Sequence, residues 1–196
     1  MVSYRVLTVA VLAGLVGLVA QPARAKSPLG GHVAGVCMLS QSQLMGQSKA
    51  GDAANKRMHQ LASHANDEMG SIRNSLGQAI QKFRQEAKTM QPQQREDMQK
   101  KLQKREQEFQ QKSSEYEQRL RITRARAMQQ IIKAANPLVE AAYKSHHCGI
   151  LLDRDSGVLG GNNANDLTDQ IVQELDKKMP TISFNLAPLP KQNQGQ

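Results

Sequence analysis

Residues 50–90, AGDAANKRMHQLASHANDEMGSIRNSLGQAIQKFRQEAKTM, decide the fold. Ala54, Met58, Leu61, Ala65, Met69, Ile72, Leu76, Ile80, Phe83, Ala87 and Met90 succeed one another at steps of three or four. That is the period of one helix face. Pro92 interrupts it, so 90–94 reads as a tight connection. In a second helical stretch, Met98, Leu102, Phe109, Tyr116, Leu120, Ala127 and Ile131 recur at steps of four or seven. At 100° per residue they share one narrow stripe. The two segments run for roughly 41 and 44 residues, or ~61 and ~66 Å at 1.5 Å per residue. Equal arms joined by a short turn predict an antiparallel helical hairpin over residues 50–136, with its tip near 90–94.

The seam of that hairpin is thin. Between Leu102 and Phe109 the next heptad place falls on Arg105 or Glu106, and between Phe109 and Tyr116 on Lys112 or Ser113. A tight coiled coil puts Leu, Ile or Val there. Little apolar surface is buried along the outer arm, which is therefore expected to be mobile. Gly70 and Gly77 stand one heptad apart, each about 1 kcal/mol worse than Ala inside a helix. Two readings stay open: close approach of the arms, or a hinge.

Working outward, residues 1–25 have the pattern of a secretory signal peptide. Arg5 precedes the apolar run from Val6 to Ala20, and Ala23-Arg24-Ala25 supplies a small-x-small site. The run is short for a membrane-spanning helix, which needs about 20 residues. Cleavage is expected after Ala25, with an uncleaved anchor as the alternative. The rest of the chain suits an elongated helical protein. In the full chain of 196 residues only 3% are aromatic, Trp is absent and Met numbers nine, whereas a compact core of this size ordinarily uses more rings. A formal charge of +9 points to an anionic partner without saying which.

On either side of the hairpin lie the parts of a small body. Residues 26–49 contain an apolar strand at 32–39 (HVAGVCML) and a helical turn or two at 40–46. Residues 137–179 begin with Pro137, which kinks or ends the second arm. A further helical stretch follows at 138–143, then a strand at 149–153 (GILLD). The turn DRDSG at 153–157 comes next, with a third short strand at Val158-Leu159. Asn162–Asp166 offers capping residues for a closing helix carrying Leu167, Ile171, Val172 and Leu175 and stopped by Pro180. Residues 180–196, with Pro188 and Pro190, read as a flexible tail. The fold class is α+β, predominantly helical: a long antiparallel α-helical hairpin emerging from a small β body. A body of about 50 residues is marginal as an independent core, and pooling several copies would relieve that.

Cys37 and Cys148 both follow the signal. In an oxidising compartment two cysteines suggest one disulfide. Free thiols, or a metal site using His146, His147 and Cys148, are the alternatives, though adjacent residues rarely converge on one ion. If the flanking strands are antiparallel the two sulfurs meet. If they are parallel and in register, the sulfurs are expected several residues apart, and bridged Cα atoms must lie within about 7 Å.

The chain resembles the Skp/OmpH family of periplasmic chaperones of Gram-negative bacteria. The resemblance rests on the signal, the opening VAGVCMLSQSQLM, the basic Gln-rich hairpin and the closing ILLDRDSGVLGGNNANDLTDQIVQELDKK, and covers residues 32–178. It implies a jellyfish-like homotrimer, with three tentacle-like hairpins around a cavity, and unfolded outer-membrane proteins as clients in the periplasm. It does not imply the two cysteines.

No catalytic constellation is legible. His146 and His147 lack a partnering Ser or acid at a recognisable spacing, and Asp153 and Asp155 read as turn-shaping. Gly160-Gly161 is not followed by the Lys-Ser/Thr of a phosphate loop. No cofactor is expected, in keeping with an ATP-independent holdase. Client binding is assigned to Lys100, Lys101, Lys104 and Arg105 on one arc of the second arm, and to Arg119 and Arg126 on one flank of the apolar stripe. Arg121 and Arg124 on the other flank, with Met90 and Met98 near the tip, complete the set. Basic flanks beside adaptable Met hold an acidic, partly apolar chain without locking it. A solvated face with local pairs such as Glu96–Lys100 is the plainer alternative. An anionic membrane surface or lipopolysaccharide is a further candidate partner. A nucleic-acid compactor fits the charge but not an export signal or so few stacking rings. An envelope spacer fits the long helices but not the thin seam.

Overall fold

The computed structural model describes residues 30–190; the expected signal peptide lies outside them. Strand β1 (Val36–Leu39) leads into helix α1 (Gln41–Gln47), and α2 (Lys49–Glu86) and α3 (Pro92–Ser145) form the hairpin. Strand β2 (Ile150–Asp153), one 3₁₀ turn (Asn163–Asn165) and helix α4 (Thr168–Lys178) follow.

Local chemistry sets most boundaries. Ser40 caps α1 by accepting from the Gln43 N–H, and Ser48 caps α2 by accepting from the Gly51 N–H. Pro92 opens α3 in its first turn, where a missing N–H is no loss. Pro137 neither ends nor divides the second arm: α3 runs through it to Ser145. Pro137 is exposed, whereas Ala135 and Ala142 are buried and Leu138 and Val139 pack against the core. Tertiary packing on either side holds the helix across one lost hydrogen bond.

The expected strand at 32–39 is shorter, beginning at Val36. Val33–Val36 instead forms a turn, with Gly35 at φ +76°. The Asn165 side chain stabilises it, donating to the Val33 and Val36 carbonyls and accepting from the Val33 N–H. β1 and β2 pair in parallel, Val36 opposite Ile150 and Leu39 opposite Asp153. Val158-Leu159 is not a third strand. The other edge of β1 is taken by a lone parallel bridge between Met38 and Asp166, with the Leu167 N–H donating to the Met38 carbonyl. Leu159 is fully exposed, so no burial holds 158–159 extended against the sheet.

Cys37 and Cys148 are disulfide-bonded, with Cα atoms 5.7 Å apart. The inference that parallel, in-register strands forbid the bridge is therefore wrong. α3 ends in a reversal with His147 at φ +52°, where the Cys148 N–H donates to the Tyr143 carbonyl and the His147 N–H to the Lys144 carbonyl. This left-handed helix stop turns the chain before β2 begins and brings Cys148 back toward Cys37.

One apolar core joins the body to the root of the hairpin. It contains Leu39, Leu44, Ala50, Ala54, Ala127, Ile131, Ala135, Leu167, Ile171 and Leu175. The outer arm buries much less: Ala65, Met69, Leu76 and Leu102. The tail is not the free segment its composition suggests. Residues 180–190 lie extended along the hairpin root, with Ile182 and Ala187 buried and Phe184 packed on the core. Prolines limit its freedom in the unfolded chain, and hairpin side chains bond its main chain, so ordering it loses less than its polarity implies.

Candidate functional site

Two apolar grooves with basic rims open on the hairpin. Near the tip, Phe83 of α2 and Met98 and Leu102 of α3 meet Met90 of the connection, rimmed by Lys82, Lys101 and Arg105, with Glu86 on the same rim 3.9 Å from Lys82. Four of the residues singled out in the sequence are thus brought together: Met90, Met98, Lys101 and Arg105. At the root, Met45 of α1, Met58 of α2 and Met128 of α3 line a second groove with Arg124. It continues along Leu120 and Arg121. Periodicity places Met58 in the seam but gives no sign that it also lines a groove, and Met45 and Met128 fall outside both apolar stripes.

The remaining candidates divide by environment. Lys100 pairs with Glu96 at 2.6 Å and Lys104 with Glu108 at 3.9 Å, both exposed pairs within α3. This is the solvated face of the plainer reading, and it contributes little to stability. Arg105 reaches across to Ser75 Oγ at 3.0 Å. Arg121, Arg124 and Arg126 are exposed, and none forms a salt bridge among the described residues. Arg119 is committed elsewhere: its Nε donates to the Ala187 carbonyl of the tail at 2.9 Å, and its guanidinium lies 5.8 Å from the Tyr116 ring centre.

The thin seam is bridged by polar groups. Glu68 of α2 pairs with Lys112 of α3 at 2.5 Å and accepts from the Tyr116 hydroxyl. Arg73 lies 5.6 Å from the Phe109 ring centre. The Lys112 ammonium, then the Tyr116 hydroxyl, hold the Glu68 carboxyl below its ordinary range. The same carboxylate pushes Lys112 and Tyr116 upward. A Cβ added at Gly70 or Gly77 would meet nothing within 4 Å, so neither glycine serves close approach of the arms.

Of the other groups weighed, Asp155 ties the β2 turn to α1. It accepts from the Ser42 N–H at 2.7 Å and from the Ser40 and Ser42 hydroxyls, and these bonds lower its pKa. Cys148 is committed to Cys37 and His146 meets Gln170, so the run at 146–148 offers no thiolate for a metal.

A family described as outer membrane protein (OmpH-like) matches residues 35–175, nearly the whole hairpin and body. The chain belongs to the OmpH-like family. No curated protein matches it in sequence. Among solved structures, a Caulobacter crescentus CB15 protein, provisionally assigned as an OmpH-like outer membrane chaperone, superposes with a TM-score of 0.76 at 26% identity. That alignment covers 83% of this chain and 96% of the other. The OmpH-like match ends before the last turn of α4 and excludes the tail that bonds to the hairpin root.

Proposed function

We propose that this OmpH-like chain is an ATP-independent periplasmic holdase, exported by its signal peptide and cleaved after Ala25. It acts as a homotrimer whose arms surround unfolded outer-membrane proteins. The observation that carries the reading is the pair of Met-lined grooves with basic rims on a weakly packed hairpin. Met side chains adapt to many partners, and long-range positive charge attracts acidic chains without fixing their register. Assembly is supported by the body. Ile150, Leu151 and Leu152 of β2, with Val33 and Leu159, stay exposed in the single chain. An apolar strand open to solvent asks for a partner. The same basic rims suit lipopolysaccharide or an anionic membrane surface as a second contact.

The test is light scattering of a denatured outer-membrane barrel protein diluted into buffer with the exported chain and no nucleotide. Suppression of aggregation near one trimer per client is expected. Aggregation at the rate seen with an inert basic helical protein would overturn the proposal.

A further inference from the structure

The tail and the root groove lie on opposite flanks of the same seam. On α2, taking Met58 as zero, Arg57 falls at roughly −100° while Ala62 and His59 fall at roughly +40° and +100°. On α3, taking Ala127 as zero, Thr123 and Arg119 fall at roughly −40° and −80°, while Arg124 and Met128 fall at roughly +60° and +100°. One flank is open; the other carries residues 183–190.

Ile182, Phe184 and Ala187 seat the tail on apolar surface, and its hydrogen bonds to the hairpin are chiefly main-chain. Arg57 Nε donates to the Phe184 carbonyl at 3.0 Å, and Arg119 Nε donates to the Ala187 carbonyl at 2.9 Å. The Ala187 N–H donates to Thr123 Oγ1 at 2.8 Å. One side-chain bond adds to these, from Arg57 to Asn185 Oδ1. Thr123 Oγ1 donates its own proton to the Arg119 carbonyl at 2.7 Å, so within α3 itself the hydroxyl is set to present its oxygen as an acceptor. Neither Arg57 nor Arg119 forms a salt bridge among the described residues. From Thr181 to Leu186 the side chains alternate between outward and inward, Ile182, Phe184 and Leu186 being buried or half-buried and Thr181, Ser183 and Asn185 exposed; Ala187, also buried, breaks the alternation. The alternating stretch has the pattern of an extended strand on an apolar support.

We propose that Arg57, Arg119 and Thr123 form a binding site for the main chain of an extended, partly apolar polypeptide, and that residues 183–190 are its displaceable resident. Recognition of two carbonyls and one N–H is indifferent to sequence, as a chaperone subsite requires. Covalent attachment gives the resident an effective concentration on the order of millimolar. A client therefore enters only by binding at several points at once. That clients are the displacing chains rests on the holdase reading; the site itself does not.

The test uses the exported full-length chain with a protease recognition sequence inserted between Ile182 and Ser183, so that the tail is cut after folding. Circular dichroism checks that the cut protein stays folded. Two fluorescent peptides are titrated by anisotropy: SFNLAPLP, and a shuffled peptide of the same composition. The cut protein is expected to bind both, within about tenfold of one another, and the uncut protein at least about tenfold more weakly. Arg119→Gln with Thr123→Val should weaken binding to the cut protein by ~tenfold or more. If the cut fragment stays seated, its release by the unlabelled peptides reads the same equilibrium. Binding of neither peptide, equal binding to cut and uncut protein, or binding of the native order alone would each overturn the proposal. Peptide binding by a protein that suppresses no aggregation would remove the holdase reading and leave the site standing.

Discussion

Cys37–Cys148 shows how a few residues settle a long-range question. The bridge spans 111 residues of sequence and ties β1 to the end of the hairpin. In the chain-entropy view a loop of that size is worth up to about 4.7 kcal/mol. Replacing both cysteines by Ser should lower stability by ~2–5 kcal/mol in chemical denaturation; an unchanged midpoint would count against it. Gly51 is a residue the sequence reading passed over. A Cβ there would strike the Met45 backbone carbonyl, where α1 turns into α2. Gly51→Ala should therefore destabilise by about 1–3 kcal/mol, as overpacking does, despite the better helix propensity of Ala. Gly70→Ala and Gly77→Ala meet open space and should each stabilise by up to ~1 kcal/mol. If the two glycines act as a hinge, the double variant also accepts a narrower range of client sizes, which titration with barrel proteins of different lengths measures.

At the scale of the element, the outer hairpin depends on the Glu68–Lys112–Tyr116 tie. The folded pKa of Glu68 is lowered, so its contribution is present above the unfolded value and lost as pH falls through the folded one. Those of Lys112 and Tyr116 are raised, so theirs is lost as pH rises through their folded values. The tie is therefore intact across neutral pH, opens only in acid below the ordinary glutamate range, and opens at the other end only above the ordinary Lys and Tyr ranges. Spin labels at Asn66→Cys and Gln118→Cys should report arms separating on acidification, and Glu68→Gln should already separate them at pH 7. Distances unchanged by both would remove the tie from the account of arm mobility. The basic flank is tested on the same element. Arg119 holds the tail, so the informative variant is Arg121→Gln, Arg124→Gln and Arg126→Gln together. It should weaken client capture most at low salt, because the Debye length shrinks to about 8 Å at physiological ionic strength. Capture equal to wild type at every salt concentration would reduce these arginines to a solvated surface.

For the whole molecule, the exposed β2 is the feature that a single chain leaves unexplained. Ile150 is 55% exposed and Leu152 38%, on a strand whose outer edge has no neighbour among the described residues. Ile150→Lys with Leu152→Lys should convert a trimer into monomers in light scattering at micromolar concentration, with the helix content of each chain kept. A wild-type chain that is already monomeric would sink the assembly proposal.

The sequence alone determined the hairpin, the presence of a strand on each side of it, the closing helix and the family. Those readings rest on periodicity and capping, which are local and repeat along one element's own face. Only the tertiary structure decided that α3 runs through Pro137, because the buried Ala135 and Ala142 outweigh one lost hydrogen bond. It also decided that a disulfide joins parallel strands through a left-handed turn at His147, and that Asp166 takes the place expected of Val158-Leu159. The seating of the tail on Arg57, Arg119 and Thr123 came from the same source. Each of these pairs a residue with a partner far along the chain, and the gain depends on what burial leaves available at that spot. Composition marked 180–196 as a tail because a chain segment with few apolar residues cannot order itself. Residues 180–190 are ordered by a surface that other segments build.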